Sequence, residues 1–453
     1  MSFDSRSRRQ ASGAVSGTGL VVVAVLAVPA AAQEPAPPAA PETVAAEQTV
    51  VAPEPVRAYP DLPWAARIEV PPFVLQSNED DWFEVYGFAQ VDYIQDFGRV
   101  NPAWNATLRP SRIPTVDGQF GDDGQAIISA RQSRLGVQGN LPVGEDDLYT
   151  RFEFDLFGVG VDEGQTTIRL RHAFGSWQQF LGGQTNSLFM DGDVFPNVID
   201  YWGPSGMVFL RSPQIRWTPG ADEGNLAFAL EYAGGDIDIG GADQIDPNLV
   251  NAKADNKLPD VTAQWRMPRD WGHFQVAGIA RYIGFETVPG ALPGTNEPSG
   301  GEAGYGLALT GSIKTGEKDK VLLSALAGKG IASYMNDGGV DLAADGTLTD
   351  PSAKTVPLIG LHAYYDHWWN ERFSSSIGYS QTQVDNQALQ LGNAFHLGQY
   401  ASANLLYYPA DNVLMGVELL WGRREDNDGA DGDDLRLQFT LKYNFSSKNH
   451  ARG

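Results

Sequence analysis

From Leu435 to Phe445 the chain alternates without interruption: Leu435, Leu437, Phe439, Leu441, Tyr443 and Phe445 are apolar, and Arg436, Gln438, Thr440, Lys442 and Asn444 between them are polar. Successive side chains of an extended strand point to opposite faces, so the segment presents one apolar face and one wet face along its whole length. The pattern recurs upstream in Val413, Met415, Val417, Leu419 and Trp421, in Ala401 to Tyr407, in Ile359 to Tyr365, in Tyr305 to Leu309 and in Leu226 to Tyr232. A soluble β-sandwich also alternates, so periodicity alone does not decide where the apolar face goes.

The connections decide it. Roughly sixteen alternating segments can be marked out, a number within the even series of bacterial membrane barrels. Short links occur at 141–144, 219–222, 268–270, 369–371 and 409–411, and mostly long Gly/Asp/Asn-rich ones lie between them: 96–124, 184–206, 234–257, 286–302, 332–355, 383–393 and 423–434. The connection at 158–165 is the one short member of the long series. Short turns on one side and long loops on the other characterise a transmembrane barrel and have no counterpart in a sandwich. Trp177, Trp217, Trp265, Trp271, Trp368, Trp369, Trp421, Tyr407 and Tyr408 fall near strand ends, where amphipathic rings suit the two lipid–water boundaries. The expected fold is all-β: a transmembrane antiparallel barrel over residues 81–445.

The N-terminus fits export. Arg6, Arg8 and Arg9 precede an apolar run from Leu20 to Val28 and a small-residue stretch, Ala30 to Ala32. These are the parts of a cleavable signal peptide over 1–32, and the run is shorter than the ~20 residues a spanning helix needs. Residues 33–80 are rich in Pro, Ala and Glu and read as a disordered periplasmic linker. Residues 446–453 form a short tail. The expected location is the outer membrane of a Gram-negative cell.

Composition narrows the chemistry. The chain of 453 residues has no Cys and a formal charge of −24. Absence of Cys excludes disulfides, thiolate metal sites and thiol nucleophiles, and the negative charge argues against nucleic-acid binding. The six His are scattered, and no metal or cofactor site is expected. Asp426, Asp428, Asp431, Asp433 and Asp434 invite a calcium reading, but Ala430 occupies a ligand position of that loop pattern, so a solvated external loop is expected. External carboxylates could meet divalent cations at a lipopolysaccharide surface.

Several strings share an order and spacing: Phe83 to Asp92, Ala130 to Val137, Gly182 to Thr185, Phe189 to Asp191, Tyr201 to Pro204 and Pro213 to Trp217. Together they resemble the DcaP-like family of trimeric outer-membrane porins, a likeness that covers roughly residues 83–445. The resemblance implies a homotrimer that passes dicarboxylates and other small anions. Members of that family often carry a helical coiled-coil segment before the barrel. The Pro-rich stretch here does not fit one, which leaves trimer contacts to the barrel walls.

Strand parity nominates the pore lining. Arg151 alternates with Phe152 and Phe154, and Arg169 and Arg171 alternate with Ile168 and Leu170, so all three should point inward. Arg216 and Arg281 fall on polar faces. Arg131 and Arg134 differ by three positions and cannot share a face without a bulge, and Arg134 is taken as the luminal one. A ring of guanidiniums in a confined pore attracts carboxylates and binds them in bidentate fashion. Alternatively, these charges are paired with Glu153 and Asp155. The 184–206 connection, stiffened by aromatics and prolines, is the candidate for a loop folded into the pore, where Asp191, Asp193 and Asp200 would face the arginines. The expected function is passive diffusion of small anionic solutes, without catalysis. The alternatives are a non-selective porin, an adhesive surface and a membrane hydrolase built on a Ser/His pair. For the last, His172 draws notice because parity places it toward lipid.

Overall fold

The structure is a computed structural model that describes residues 82–220, 225–232, 234–244, 247–287 and 298–447. The expected signal peptide, the expected linker and residues 448–453 lie outside the described residues.

Among the described residues, sixteen barrel strands follow one another in antiparallel order. They are β1 (Trp82–Asp96), β2 (Gln125–Ser129, resumed as Arg134–Val143), β3 (Asp146–Phe157), β4 (Thr166–Trp177), β5 (Phe180–Asn186), β6 (Arg211–Trp217), β7 (Leu226–Glu231) and β8 (Asp260–Arg269). The second half comprises β9 (Gly272–Thr287), β10 (Ser299–Lys314), β11 (Lys320–Lys329), β12 (Pro357–Asn370), β13 (Phe373–Val384), β14 (Phe395–Ala410), β15 (Val413–Asp426) and β16 (Asp431–Ser446). Each strand pairs with its neighbour in sequence, and β16 returns to β1 in the register Tyr86↔Ser446 to Asp96↔Arg436. Among the described residues, closure leaves the barrel itself without an open edge strand, the condition under which a sheet can span lipid.

The alternation read from the last segment holds in space. Along β16, Leu435, Phe439, Tyr443 and Phe445 are exposed, whereas Arg436, Gln438 and Thr440 are buried toward the interior. Trp177, Trp217, Trp265, Trp271 and Trp369 are exposed near the short-turn end and form a girdle at that rim.

Several connections differ from expectation. The sequence pattern misses two short turns, Gln178–Gln179 and 315–319; the first is made tight by Gln178 in the left-handed region at φ 52°. The expected long connection at 423–434 shrinks to 427–430, because β15 and β16 remain paired as far as Glu425↔Asp431. Two of its acids are also not solvated: Asp426 is buried against Arg424, and Asp434 against Arg436.

The interior is packed rather than hollow. The β1–β2 connection (L1, 97–124), the β5–β6 connection (L3, 187–210) and the β11–β12 connection (L6, 330–356) supply apolar residues inside the barrel. Phe189 and Met190 of L3 join Tyr334 and Met335 of L6 against Ala277, Ile279, Ala308, Leu326 and Leu358 of the wall. Leu108 and Ile113 of L1 join Val194 and Met207 of L3 against Leu322, Tyr364, Tyr400 and Leu420. Gly206 shows how close L3 lies: a Cβ there would sit 2.1 Å from the Gln381 carbonyl and 2.4 Å from that of Leu361. The inserted loops therefore pack on the wall of β9 to β15, and the open side of the lumen faces β2 to β4.

Candidate functional site

β3 and β4 lie side by side and supply the charged wall. Glu153 and Asp155 alternate on β3, and the Arg169 and Arg171 side chains of β4 reach both. Arg171 donates from Nε to Glu153 at 2.7 Å and from Nη1 to Asp155 at 2.8 Å. Arg151 bonds Glu153 at 2.5 Å and Tyr86 at 2.7 Å, Arg169 bonds Asp155 at 3.0 Å, and Arg134 lies 3.6 Å from Glu153. Two buried carboxylates thus serve four guanidiniums.

Opposite this wall stand the inserted loops. Tyr201 of L3 donates to Asp155 and meets Arg169, and its ring stacks on Phe157 at 3.9 Å. Burial raises the Tyr201 phenol above its ordinary range, Arg169 opposes this and the negative Asp155 adds to it, so the phenol remains a donor. Arg109 of L1 bonds Asp337 of L6 at 2.8 Å, with its guanidinium 4.1 Å from the Trp104 ring centre and 4.6 Å from that of Trp202.

A cavity of about 1040 Å³ lies between wall and loops. Nine Lys and Arg side chains line it against four carboxylates. Of the sequence-nominated arginines, Arg134, Arg151, Arg169 and Arg171 line it, and Arg216 and Arg281 do not. Arg216 bonds Gln214 and the Asn186 carbonyl. Arg281 is fully buried on Asp260, Asp341, Ser333 and the Gly330 carbonyl, where it clamps L6. Arg131, left undecided by parity, donates to the Gly158 carbonyl at 3.0 Å and lies over Phe157, because residues 130–133 interrupt β2 and reset its phase.

The L3 acids do not meet the arginine wall. Asp191 faces the opposite side, accepting from His273 at 2.7 Å, Thr310 at 2.6 Å and Arg266 at 3.1 Å. Asp193 is largely exposed and also meets Arg266. Asp200 is buried beneath the loop, where Thr107, Leu108, Gly203 and Tyr400 donate to it and join L1 to L3. Burial pushes the Asp200 carboxyl up against the opposing pull of those hydrogen bonds.

Parity misplaces His172. The pairing of β3 with β4 slips between Glu153↔His172 and Phe154↔Leu170, so Arg171 is the extra residue of a bulge and both it and His172 turn inward. His172 bonds Thr185 at 3.0 Å. A different Ser/His pair does exist: Ser312 lies 2.9 Å from His273 Nδ1, and His273 Nε2 lies 2.7 Å from Asp191. Those are the members of a hydrolytic relay, but none of the three lines the cavity, and Asp191 is also held by Arg266 and Thr310. The trio acts as a tether for L3.

Sequence reasoning missed Arg109, Arg112, Arg211, Arg424 and Lys442 of the lining. Lys442 was legible, since it lies on the polar face of the last segment. The L1 residues Arg109 and Arg112 were not, because nothing local in a loop marks it as folded inward.

A family description fits this architecture over most of its length. The model of the family described as DcaP outer membrane protein matches residues 76–445. The chain belongs to that family. It is an outer-membrane β-barrel of the porin and channel type. Among solved structures it is similar to the outer membrane channel DcaP of Acinetobacter baumannii, with 23% identity and a TM-score of 0.66, covering 82% of this chain and 100% of that one. It also shares its fold with OmpF of Salmonella typhi, with 14% identity, a TM-score of 0.51 and coverage of 82% and 100%. No match emerged among curated proteins.

Proposed function

We propose that this DcaP-family barrel is a passive porin that prefers small anionic, dicarboxylate-like solutes. The observation that carries the reading is the excess of cations, nine against four carboxylates, lining the cavity of a chain whose overall charge is −24. A low-dielectric wall strengthens each luminal charge relative to its value in water, so anions are concentrated where the passage is narrowest. Weak attraction shared among several sites admits a solute without trapping it. Arg134, Arg151, Arg169 and Arg171 form the basic wall, and Tyr201 and Trp202 of L3 narrow the path beside it. The protein works without catalysis, as a homotrimer in outer-membrane lipid and lipopolysaccharide, after export by a cleaved signal peptide over 1–32. OmpT of Vibrio cholerae, described in a trimer form, shares the fold at 10% identity, a TM-score of 0.50 and coverage of 81% of this chain and 100% of that one. That likeness agrees with the trimer reading.

The test is the reversal potential of the purified protein in a planar bilayer under a potassium chloride gradient, with succinate then added as a competitor for chloride. The expected result is anion preference and partial block by succinate. A cation-preferring or unselective current would refute the reading.

A further inference from the structure

We propose that anion specificity is set by Arg211 and Lys442, two luminal cations outside any ion pair, which act as the docking points for small oxyanions. This inference rests on the anion-preferring reading above and assigns it to particular residues.

The basic wall contains two kinds of cation. Arg151, Arg169 and Arg171 hold Glu153 or Asp155 at 2.5 to 3.0 Å, so most of their charge is answered inside the wall. A guanidinium engaged by a carboxylate has fewer donors to offer a passing solute. Arg211 and Lys442 differ. Both line the cavity. Among the described residues neither has a carboxylate within ion-pairing distance, and neither makes a side-chain hydrogen bond. The Arg211 Nε is buried with no partner, and its guanidinium only lies over the Phe209 ring at 4.8 Å. The Lys442 ammonium lies 3.9 Å from the Phe88 ring centre.

Their positions make the charge useful. Arg211 opens β6 on one side of the β2–β4 wall, and Lys442 sits on β16 on the other. Both lie near enough to Arg134 and Arg171 to feel their charge, and at Lys442 the Asp92 carboxylate opposes it in part. A buried donor without a partner costs free energy until something accepts from it. The planar fork of Arg211 matches a carboxylate or phosphate in bidentate geometry, and Lys442 supplies a compact charge for a second anionic oxygen. The ligand class is therefore a small oxyanion.

The experiment compares the parent with Arg211→Gln/Lys442→Gln and with Arg211→Lys. None of these removes an intramolecular hydrogen bond, and heat-modifiable gel migration confirms assembly. A unit charge ~7 Å from the path changes a monovalent ion's local concentration roughly threefold before screening, in opposite senses for anions and cations. The double variant should lower the anion/cation permeability ratio at least about threefold. Arg211→Lys should keep that ratio yet weaken succinate block about tenfold, since the charge remains and the fork is lost. A selective parent whose ratio survives in the double variant would overturn the assignment and leave the anion reading standing. An unselective parent would overturn both.

Discussion

L3 narrows the lumen only while its base is tied to the far wall, and Asp191 is the knot. Its carboxylate is fully buried and accepts from His273 at 2.7 Å, Thr310 at 2.6 Å and Arg266 at 3.1 Å. Asp191→Asn keeps the shape but removes the charge, and its amide places a donor among three donors. Breaking a buried charged pair costs about 3–5 kcal/mol. Arg266 is a quarter exposed and keeps Asp193, which reduces the expected loss to about 2–4 kcal/mol. At about 1.4 kcal/mol per tenfold, a detached L3 base becomes roughly a hundred times more populated. Single-channel recording should show excess open-channel noise and brief high-conductance events. Asp193→Asn touches the same Arg266 from a side chain that is 68% exposed, and should cost no more than about 1 kcal/mol and leave the current quiet.

The pH dependence has a definite sign. Burial alone would raise the Asp191 carboxyl, but bonds from His273 and Thr310 and the Arg266 charge outweigh it and hold the group below its usual range. A depressed folded value means the tether is complete above the ordinary carboxylate range, near pH 3.9, and is lost only as pH falls through the lowered value. The parent should therefore stay quiet at pH 5. A quiet Asp191→Asn channel, or equal noise from Asp193→Asn, would refute this account of L3.

Two further outcomes are expected. Arg436 is fully buried and bonds Asp96 at 3.0 Å, Asp434 at 2.7 Å and the Asn105 and Thr107 carbonyls at 3.0 Å each. Arg436→Met should cost about 3–5 kcal/mol in denaturant unfolding of the detergent-solubilised barrel, and a loss below about 1 kcal/mol would contradict its role as the post for L1. Deleting residues 33–78 with the signal kept should leave a barrel of unchanged conductance, measured in bilayers, because that Pro-rich stretch has no apolar pattern to bury. Failure to assemble would assign it a structural part.

The barrel was legible because lipid enforces a rule on every strand. A polar group cannot face hydrocarbon, so alternation survives along β16, β15 and β12 with little noise. The rule weakens where a strand meets something other than lipid. In β4 a bulge at Arg171 turns His172 from the outer face to the inner one. In β2 the break at 130–133 separates Arg131 from the phase of Arg134. The interior faces of β9 to β15 carry Leu322, Leu326, Leu358, Tyr364 and Leu420, buried against inserted loops. Their apolar character blurs the inner face in sequence, because nothing local marks the loops they pack against as folded inside the barrel.

Arg211 shows why a candidate pore residue cannot be read from parity alone. It shares parity with Pro213 and Ile215, and Ile215 is 66% exposed to the outside. Arg211 nevertheless lines the cavity, because L3 runs inside the barrel up to the residue before it and β6 has only begun to join the wall. Net charge misleads in a related way. Asp117, Asp122 and Asp428 are exposed on external loops, and charges beyond about 8 Å are largely screened at physiological ionic strength. An ion in the cavity responds instead to the few groups beside it. On the proposed reading, that response is weak where Glu153 and Asp155 answer their arginines, and strong where Arg211 and Lys442 have no ion-pair partner. On that reading, the sign of the lumen is decided by which cations lack an ion-pair partner, a property of pairing across strands that appears only once the barrel has closed.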